Sequence, residues 1–421
     1  MRASSNFISN GCCQPINRGG VCDSVRKTWL LWALTVAGFV ACGTDGAELL
    51  GKKPYGIDGA MHVYRDFAYG PRGDLKGEGD KYPVWKDFKG APYHTHRSGQ
   101  LFDVYLPDAP GKVRVDAPVL LYLHGGAWCM RWDKDAEGYQ MIKRLCEEGF
   151  VVCSMNYQLQ NDVITDEKAT CRPNATFADM LRDVDLMVTH LKTFLPSIGV
   201  MPKKIAIGGG SAGGHLSALY ACDQANPRVL ALGLRHDIPI GFELDVIGPM
   251  NFLSDGTREA VLAAARSAKT DKASDGVENR FVTLLGWLAG ADLCADYREK
   301  GEKAVLATLH RWSPISLVTP DTPPFVLAYN KLHPFSGTDG LVETSNCTDM
   351  EEALEKVGVE SASRFCWFRF HGMFTDGQLD WIGETCADFA RRYMRVAGPV
   401  HDGTDHDGLA PTPQTSTENE K

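Results

Sequence analysis

The sequence predicts an α/β fold, in which helices cover both faces of a mostly parallel central sheet. Short apolar runs, such as Ala117–Leu123 and Phe150–Tyr157, are typical of strands that are buried on both faces. Amphipathic segments lie between these runs, and Thr176–Leu195 is the longest of them. Ligands bind at the carboxyl ends of the strands in such sheets, so the segments that follow the strands hold the candidate site residues.

Strand and helix patterns alternate along the chain. Weak strand signals near Met61–Tyr69 and Gln100–Leu106 predict paired edge strands, and their short connections favour antiparallel pairing. Later strands are predicted at Lys203–Gly208, within Leu232–Met250, at Pro323–Tyr329 and at Arg364–Phe370, and further helices at Gly138–Gly149, Asp349–Val357 and Leu379–Val396.

The domain organisation follows from these elements. We interpret residues 44–99 as edge strands with a loop, and residues 100–396 as the main domain. Asn251–Thr308 has a largely helical pattern and is expected to form a small insertion or lid. Residues 397–421 are rich in Gly, Pro, Asp, Thr and Glu, which predicts a disordered tail.

The composition excludes several classes of protein. The chain has 421 residues, of which 44% are hydrophobic and 23% charged, so it is neither collagen, coiled coil nor generally disordered. The net charge of −9 argues against a nucleic-acid partner, because phosphate binding requires clustered Lys and Arg. The 13 cysteines include no CxxC pair, which argues against a structural zinc site.

An apolar segment near the N-terminus predicts export. Trp29–Cys42 contains no charged residue and follows Arg26 and Lys27. Fourteen residues are short for a membrane span of about 20 residues, and they fit the core of a signal peptide. An uncleaved signal-anchor and a buried helix are the alternatives.

The end of this segment, Phe39–Cys42, resembles a bacterial lipobox, in which Cys42 would carry a lipid. Translation from Val25 would give an ordinary lipoprotein signal. We therefore interpret residues 1–43 as a signal peptide or lipoprotein signal, and expect a secreted or membrane-anchored protein. Export would permit disulfides, whose pairing the sequence leaves open.

A G-x-S-x-G motif at Gly209–Gly213 supplies a candidate nucleophile, Ser211. In this motif the serine lies on a strained turn between a strand and a helix. The motif alone is weakly specific. Here the predicted strand Lys203–Gly208 precedes it and a helical segment from Gly214 follows it, which is the context that the motif requires.

A second motif, His124–Trp128, directly follows the predicted strand Ala117–Leu123. Acyl transfer requires hydrogen-bond donors that are aimed at a developing oxyanion. An HGG loop at this position, together with the residue after the nucleophile, forms such a hole. The candidate donors are therefore the backbone N–H groups of Gly126, Ala127 and Ala212.

The other residues of this loop have separate roles. Gly125 is expected to shape the turn, and His124 to hydrogen-bond within the loop rather than to act as a base. Trp128 either lines a substrate pocket or simply packs; the sequence favours neither interpretation.

The nucleophile requires a general base, and His371 is the candidate. It directly follows the last predicted strand, Arg364–Phe370, where the base stands in this chain order. Only His401 and His406 lie further downstream, and both belong to the polar tail.

The base in turn requires an orienting carboxylate, which is expected after the strand Pro323–Tyr329. Asp339 is the best candidate. Glu343, Asp349 and Asp376 are the alternatives: the first two enter the next helix and the third follows the histidine.

These motifs together resemble an α/β-hydrolase of the hormone-sensitive-lipase-like esterase group, close to the bacterial feruloyl and acetyl-xylan esterases. The resemblance covers roughly residues 100–396. The segments that carry it are LYLHGGAW (121–128), SMNYQL (154–159), IAIGGGSAGGHLSAL (205–219), WSPISLVTPDTPPFVL (312–327), GTDGLV (337–342) and FHGMF (370–374).

The chain departs from the family pattern at three places. Ala127 stands where the family often has a third glycine, and Tyr329-Asn330 replaces the usual His-Gly before the acid. The segment Arg72–Lys89 has no counterpart in the pattern. By the same resemblance, Asn156-Tyr157 is expected to be structural.

The resemblance implies a mechanism. Ser211 would attack an ester carbonyl, His371 would accept its proton and return it to the leaving alcohol, and Asp339 would hold the imidazole. Neither a metal nor an organic cofactor is expected. The implied substrates are short-chain or aromatic acyl esters, free or linked to plant polysaccharide, and the oligomeric state is open.

Two other functions compete with this one. An amidase, formamidase or peptidase on the same fold would use the same residues. A non-catalytic recognition protein on a hydrolase fold usually lacks the serine or the histidine, and this chain keeps both.

Three residues outside the motifs are expected to be structural. Asp183 and Asp185 are interpreted as solvated or salt-bridged on the helix Thr176–Leu195. Cys129 beside the HGG loop is interpreted as a packed or disulfide-bonded thiol.

Overall fold

The computed structural model describes most of the main domain. The described residues are 47–74, 99–129, 134, 138–160, 175–267, 277–331, 344–367 and 374–395. The predicted signal segment, the polar tail, Asp339 and His371 lie outside these ranges. No helix among the described residues is long and apolar enough to span a membrane.

The described residues form a nine-stranded sheet with the order β1-β2-β3-β5-β4-β6-β7-β8-β9. The pairs β1–β2, β2–β3 and β3–β5 are antiparallel, and every later pair is parallel, which confirms the predicted mixed sheet. The strands are β1 Gly56–Asp58, β2 Met61–Ala68, β3 Leu101–Leu106, β4 Val119–Leu123, β5 Val151–Met155, β6 Ile205–Gly210, β7 Ile240–Val246, β8 Phe325–Lys331 and β9 Ser361–Trp367.

Helices follow most of the parallel strands. Four of them, α5 to α8, lie within residues 255–311, the region expected as a helical insertion. The helices of the described residues are α1 Tyr139–Glu147, α2 Phe177–Ser197, α3 Ala212–Ala225, α4 Pro227–Leu230, α5 Asp255–Ser267, α6 Val277–Ala289, α7 Leu293–Lys300, α8 Glu302–Arg311, α9 Thr344–Lys356 and α10 Asp376–Phe389.

Alternation along β7 shows that helices cover both faces of the sheet. The Phe242 ring packs against Phe389 of α10, while the next residue, Glu243, hydrogen-bonds Ser217 of α3. Successive strand residues point to opposite faces. α3 and α10 therefore lie on opposite sides of the sheet, as the buried, apolar strands require.

The start of the long helix α2 is specified locally. The Thr176 side chain accepts a hydrogen bond from the Asp179 N–H, and the Asp179 carboxylate accepts one from the Thr176 N–H, which makes a capping box. This cap places the beginning of the helix where the sequence predicted it. The strand β6, in contrast, runs two residues further into the glycines than predicted, to Gly210.

The acidic residues of α2 correct one expectation. Asp183 is salt-bridged, because its carboxylate lies 2.5 Å from the Arg72 guanidinium. Asp185 accepts hydrogen bonds from the Tyr220 hydroxyl and the Arg235 N–H. Both carboxylates are buried, so the solvated interpretation was wrong. Segments distant in sequence cover this side of α2, which helical periodicity does not reveal.

Candidate active site

Ser211 occupies the turn between β6 and α3, as the G-x-S-x-G motif predicts. Its backbone has φ 51° and ψ −113°, and the residue is partly exposed between buried neighbours. A non-glycine residue in such a conformation carries strain of about 1–3 kcal/mol and persists only where its surroundings over-determine it. Its N–H donates to the Val246 carbonyl at 2.7 Å, and its carbonyl accepts from the His215 N–H at 3.0 Å.

Glycine contacts explain why this turn forms here. A Cβ on Gly213 would collide with the carbonyl of Leu123 at the end of β4, and one on Gly209 would lie 2.5 Å from the same oxygen. Both positions therefore require glycine for α3 to approach the sheet. The outer glycines of the motif set this close packing of helix on strand.

The loop after β4 meets the serine turn at the same edge of the sheet. Leu123, the last residue of β4, pairs with Gly209 of β6, so both turns leave adjacent parallel strands together. The first turn of α3 packs against the backbone of Leu123 and His124. The structure thus brings Ser211 and Ala212 beside the candidate oxyanion loop.

Left-handed backbone shapes this loop. Gly126, Ala127 and Trp128 have φ values of 103°, 48° and 60°, and the Cys129 N–H closes the turn onto the Gly126 carbonyl. Among the described residues, the N–H groups of Gly126 and Ala127 donate to no backbone acceptor. Ala127 is partly exposed, whereas Gly125 and Gly126 are buried. The loop can therefore offer backbone donors to a bound oxyanion.

His124 is held within the loop and is not a base. Its Nδ1 lies 2.8 Å from the Gly125 carbonyl, and its ring stacks on Tyr157 with centroids 4.5 Å apart. Burial lowers the pKa of His124 to about 4, so the imidazole is neutral at pH 7. The Tyr157 hydroxyl donates to the His124 carbonyl at 2.7 Å. The structural roles predicted for His124 and Tyr157 are confirmed.

A buried lysine anchors the chain a few residues further on. The Lys134 Nζ lies 2.8 Å from the Asp103 carboxylate and 2.9 Å from that of Asp66. Its N–H donates to the Asn156 side chain and its carbonyl accepts from the Ser154 hydroxyl. The loop is therefore tied both to the edge strands and to the end of β5. The sequence holds one signal of this site, the single acid in the apolar strand β3.

Trp128 packs rather than lining an open pocket. Its side chain is 1% exposed, and its ring contacts those of Phe177, His215 and Phe252. The His215 Nε2 lies 2.8 Å from the Trp312 carbonyl, and burial lowers the pKa of His215 to about 3. This aromatic cluster packs against Trp128 and so supports the candidate oxyanion loop, His124–Trp128. Cys129, the next residue, is likewise buried.

Comparison with known proteins identifies the family. The profile described as BD-FAE matches residues 102–354, which is more than half of the chain. The chain belongs to the BD-FAE family.

Named relatives share parts of this BD-FAE domain. Esterase LipC of Mycobacterium tuberculosis is 27% identical over 231 residues, which are 55% of this chain and 47% of LipC. Esterase LipQ of the same organism is 32% identical over 138 residues, or 32% of this chain and 29% of LipQ. Bovine arylacetamide deacetylase is 37% identical over 109 residues, or 24% and 23% of the two chains. The chain thus matches less than half the length of each of these relatives.

Solved structures agree on the fold. Esterase B of Lactobacillus rhamnosis, in an inhibited crystal form, superposes with a TM-score of 0.52 at 16% identity, covering 89% of this chain and 95% of that one. A bifunctional GH43-CE protein of Bacteroides eggerthii gives a TM-score of 0.50 at 18% identity, covering 78% and 38%. The predicted α/β-hydrolase fold is confirmed.

The remaining candidates for the BD-FAE site stay predictions, because Asp339 and His371 lie outside the described residues. Of the alternative acids, Asp349 accepts a hydrogen bond from the Asn251 amide, and Asp376 is the first residue of α10. Glu343 also lies outside the described residues. Within the described ranges, no group of three or more His, Cys, Asp or Glu is arranged to hold a metal ion.

Sequence reasoning missed two buried acids behind the serine turn. Glu243 and Asp245 lie on β7, where the sequence shows only a mainly apolar stretch. Burial raises the pKa of Asp245 to about 7, and burial together with the nearby Asp245 raises that of Glu243 well above its usual range. The signal that could have found them is the spacing of two acids at i and i+2 within a buried strand.

Proposed function

We propose that this BD-FAE family member is a serine carboxylesterase with Ser211 as its nucleophile. One observation carries the proposal: the partly exposed Ser211 stands on a strained turn directly beside a loop whose backbone N–H groups are available. Relatives that are named esterases support the same reaction class.

The chemistry follows from this arrangement. Attack of the Ser211 hydroxyl on an ester carbonyl would place negative charge on the carbonyl oxygen. The N–H groups of Gly126 and Ala127 would stabilise this oxyanion. Ala212 is the first residue of α3, so its N–H has no acceptor within the helix and would supply a third donor.

The general base and its orienting acid are proposed from chain order. Asp339 follows β8 and His371 follows β9, and both strands run parallel to β6. The carboxyl ends of parallel strands meet at one edge of the sheet, which is the edge that carries Ser211. The order Ser211, Asp339, His371 is the order used by this fold.

The proposed substrates are short-chain or aromatic acyl esters, including esters on plant polysaccharide. The proposed location is outside the cytoplasm, secreted or held at a membrane through a lipid on Cys42. Intact mass of the protein isolated from its source tests the location: a chain that begins at lipid-modified Cys42 supports anchoring, and one with an unprocessed N-terminus overturns it.

Hydrolysis of p-nitrophenyl acetate, butyrate and octanoate tests the activity. Ser211→Ala is expected to lower kcat by about 10⁴-fold or more, because the nucleophile is lost while the oxyanion donors remain. Ser197→Ala is the matched control, since this serine caps the far end of α2 through the Phe194 carbonyl. Loss of activity in His371→Ala and Asp339→Asn, with retained folding, supports their roles.

A fluorophosphonate probe separates a wrong substrate from a wrong mechanism. Labelling that disappears in Ser211→Ala supports Ser211 as the nucleophile. If the three esters are nevertheless poor substrates, the result favours an amidase on the same fold. A folded wild-type protein that neither hydrolyses esters nor reacts with the probe contradicts the proposal.

A further inference from the structure

Among the described residues, no cation pairs with the two buried acids of β7. Glu243 and Asp245 are fully buried, and no Lys, Arg or His of the described residues acts on either carboxyl group. A buried carboxylate without a cation or a full set of donors is strongly unfavourable. This environment requires an explanation other than an ion pair.

The hydrogen bonds around Asp245 indicate that its carboxyl group is protonated. The Tyr329 hydroxyl hydrogen-bonds the Asp245 Oδ2 and lies 2.5 Å from the Gly248 carbonyl. A phenol has a single proton to donate, and the Gly248 carbonyl can only accept. Both hydrogen bonds are made at once if Asp245 is protonated and donates to Tyr329, which donates to Gly248. We call these three residues the Asp245 relay.

The same pattern occurs at Glu243. The Ser217 hydroxyl lies 2.7 Å from the Glu243 Oε1 and 3.0 Å from the Gly214 carbonyl. Ser217 also has one proton for two acceptors, so a protonated Glu243 completes the chain as the first donor. Among the described residues, the Glu243 Oε2 has no hydrogen-bond partner, which a neutral acid tolerates better than a carboxylate. We call these three residues the Glu243 relay.

Both relays end on the backbone that holds the nucleophile. Gly214 lies in the first turn of α3, and a Cβ there would collide with the Asp245 carboxyl. Gly248 follows β7 and donates its own N–H to the Asp245 Oδ1 at 2.7 Å. Between them, the Val246 carbonyl accepts the Ser211 N–H.

We propose that Glu243 and Asp245 are both neutral carboxylic acids in the folded protein and that, through the two relays, they position the Ser211 turn. They are positioning residues, since neither touches the reacting atoms. The effect on catalysis rests on the proposed esterase function, whereas the protonation state does not.

The surroundings within the described residues favour the neutral forms. Besides each other, the two acids interact with three titratable side chains there, which are Tyr329 on β8, Cys222 on α3 and Cys386 on α10. None of these groups carries a positive charge. The adjacent His215 is neutral, because burial lowers its pKa to about 3.

The raised pKa of Asp245 makes the stability of the folded protein depend on pH. Burial raises the pKa of Asp245 from 3.8 to about 7, so its contribution to stability is complete below pH 3.8 and is lost as the pH rises to about 7. Asp245→Asn replaces the acid O–H by an amide N–H donor that does not ionise. The thermal unfolding midpoint of this variant should therefore equal that of wild type near about pH 4, and exceed it above about pH 7.

Activity tests the positioning role. Asp245→Asn and Glu243→Gln keep the donors, so kcat should stay within about threefold of wild type. Tyr329→Phe removes the proton that reaches Gly248, and should lower kcat by about tenfold with KM unchanged. Asp245→Ala should resemble Tyr329→Phe, so that the asparagine variant is the rescuing, conservative one.

Infrared spectroscopy of the wild-type protein reads the protonation directly and does not depend on how a variant folds. Protonated carboxyl bands that disappear in Glu243→Gln and Asp245→Asn support the proposal. Their absence, or an Asp245→Asn variant destabilised equally at acid and alkaline pH, overturns it. If Ser211→Ala leaves activity intact, the esterase function fails, while the infrared bands still decide the protonation state.

Discussion

The two turns that form the candidate site are held in place by different means. The serine turn, Gly209–Gly213, is fixed by backbone hydrogen bonds and by glycines that admit no Cβ. The oxyanion loop, His124–Trp128, is fixed by side chains from elsewhere: Tyr157 holds its first carbonyl, and Lys134 anchors the chain that leaves it. The first turn depends on close backbone contacts that only glycine permits, and the second on polar side chains from other segments.

This contrast explains which of the two turns can be predicted from the sequence. Glycine spacing is a local pattern and predicted the serine turn. The anchor of the oxyanion loop joins Lys134 to an acid 31 residues earlier, Asp103, and no periodicity connects them. Variants of each anchor should therefore break the two turns in different ways.

The largest effect is expected from Lys134→Met. It removes the nearer cation of the buried Asp103 and leaves Arg65, 3.8 Å from this carboxylate, as the other, so the free energy of unfolding should fall by about 3 kcal/mol. Chemical denaturation measures this change. Lys356→Met is the control, because its ion pair with Glu352 is exposed and should contribute less than about 1 kcal/mol. The double variant Lys134→Met, Asp103→Asn should recover part of the loss; no recovery would mean that the charge of Asp103 is not the cause.

Gly213→Ala should act on the serine turn. Its Cβ would meet the Leu123 carbonyl, so α3 must move, at an expected cost of about 1–3 kcal/mol in unfolding free energy. Displacement of Ser211 should also lower kcat by about 10²-fold. Gly377→Ala, in α10, has no atom within 4 Å of the added Cβ and should keep both quantities near wild type. Normal activity in Gly213→Ala would show that the turn tolerates a shifted helix.

A smaller effect is expected from Tyr157→Phe. This change removes the donor to the His124 carbonyl but keeps the ring stacking, so stability should fall by about 1 kcal/mol. The rate of fluorophosphonate labelling should fall several-fold, because the loop carries the proposed oxyanion donors. Tyr297→Phe, whose hydroxyl bonds the exposed Arg266, is the control. Unchanged labelling would separate the stability of the loop from its role in catalysis.

His124→Asn should change how stability depends on pH in acid. Burial lowers the pKa of His124 from 6.5 to about 4, so the stability tied to its neutral form is present above pH 6.5 and is lost as the pH falls to about 4. The variant lacks this titration. Its unfolding midpoint should therefore decline less steeply than that of wild type between these pH values, and an identical slope would contradict the assignment of a neutral, buried imidazole.

Sequence patterns predicted the fold well where the signal is local. The buried strands β4, β5 and β6, the cap of α2 and the position of Ser211 all follow from periodicity or from neighbouring residues. The Asp183 and Asp185 carboxylates were misjudged in part, because the segments that bury them come from distant parts of the chain. The relays behind the serine turn escaped notice for the same reason. Each relay combines an acid on β7 with a hydroxyl on another element, and the spacing of residues in the sequence does not predict such a contact.

The left-handed backbone of Gly126, Ala127 and Trp128 limits how this site can be redesigned. Branched residues such as Val, Ile and Thr are disfavoured at positive φ, and proline is confined to negative φ. In a saturation library at Ala127, most variants should therefore destabilise the loop, with Gly, Asn and Asp as the tolerated exceptions. At Trp128 even these three residues would leave a cavity in the aromatic cluster. Directed evolution towards bulkier acyl groups has to proceed through other walls of the site, while this short stretch of chain stays nearly invariant.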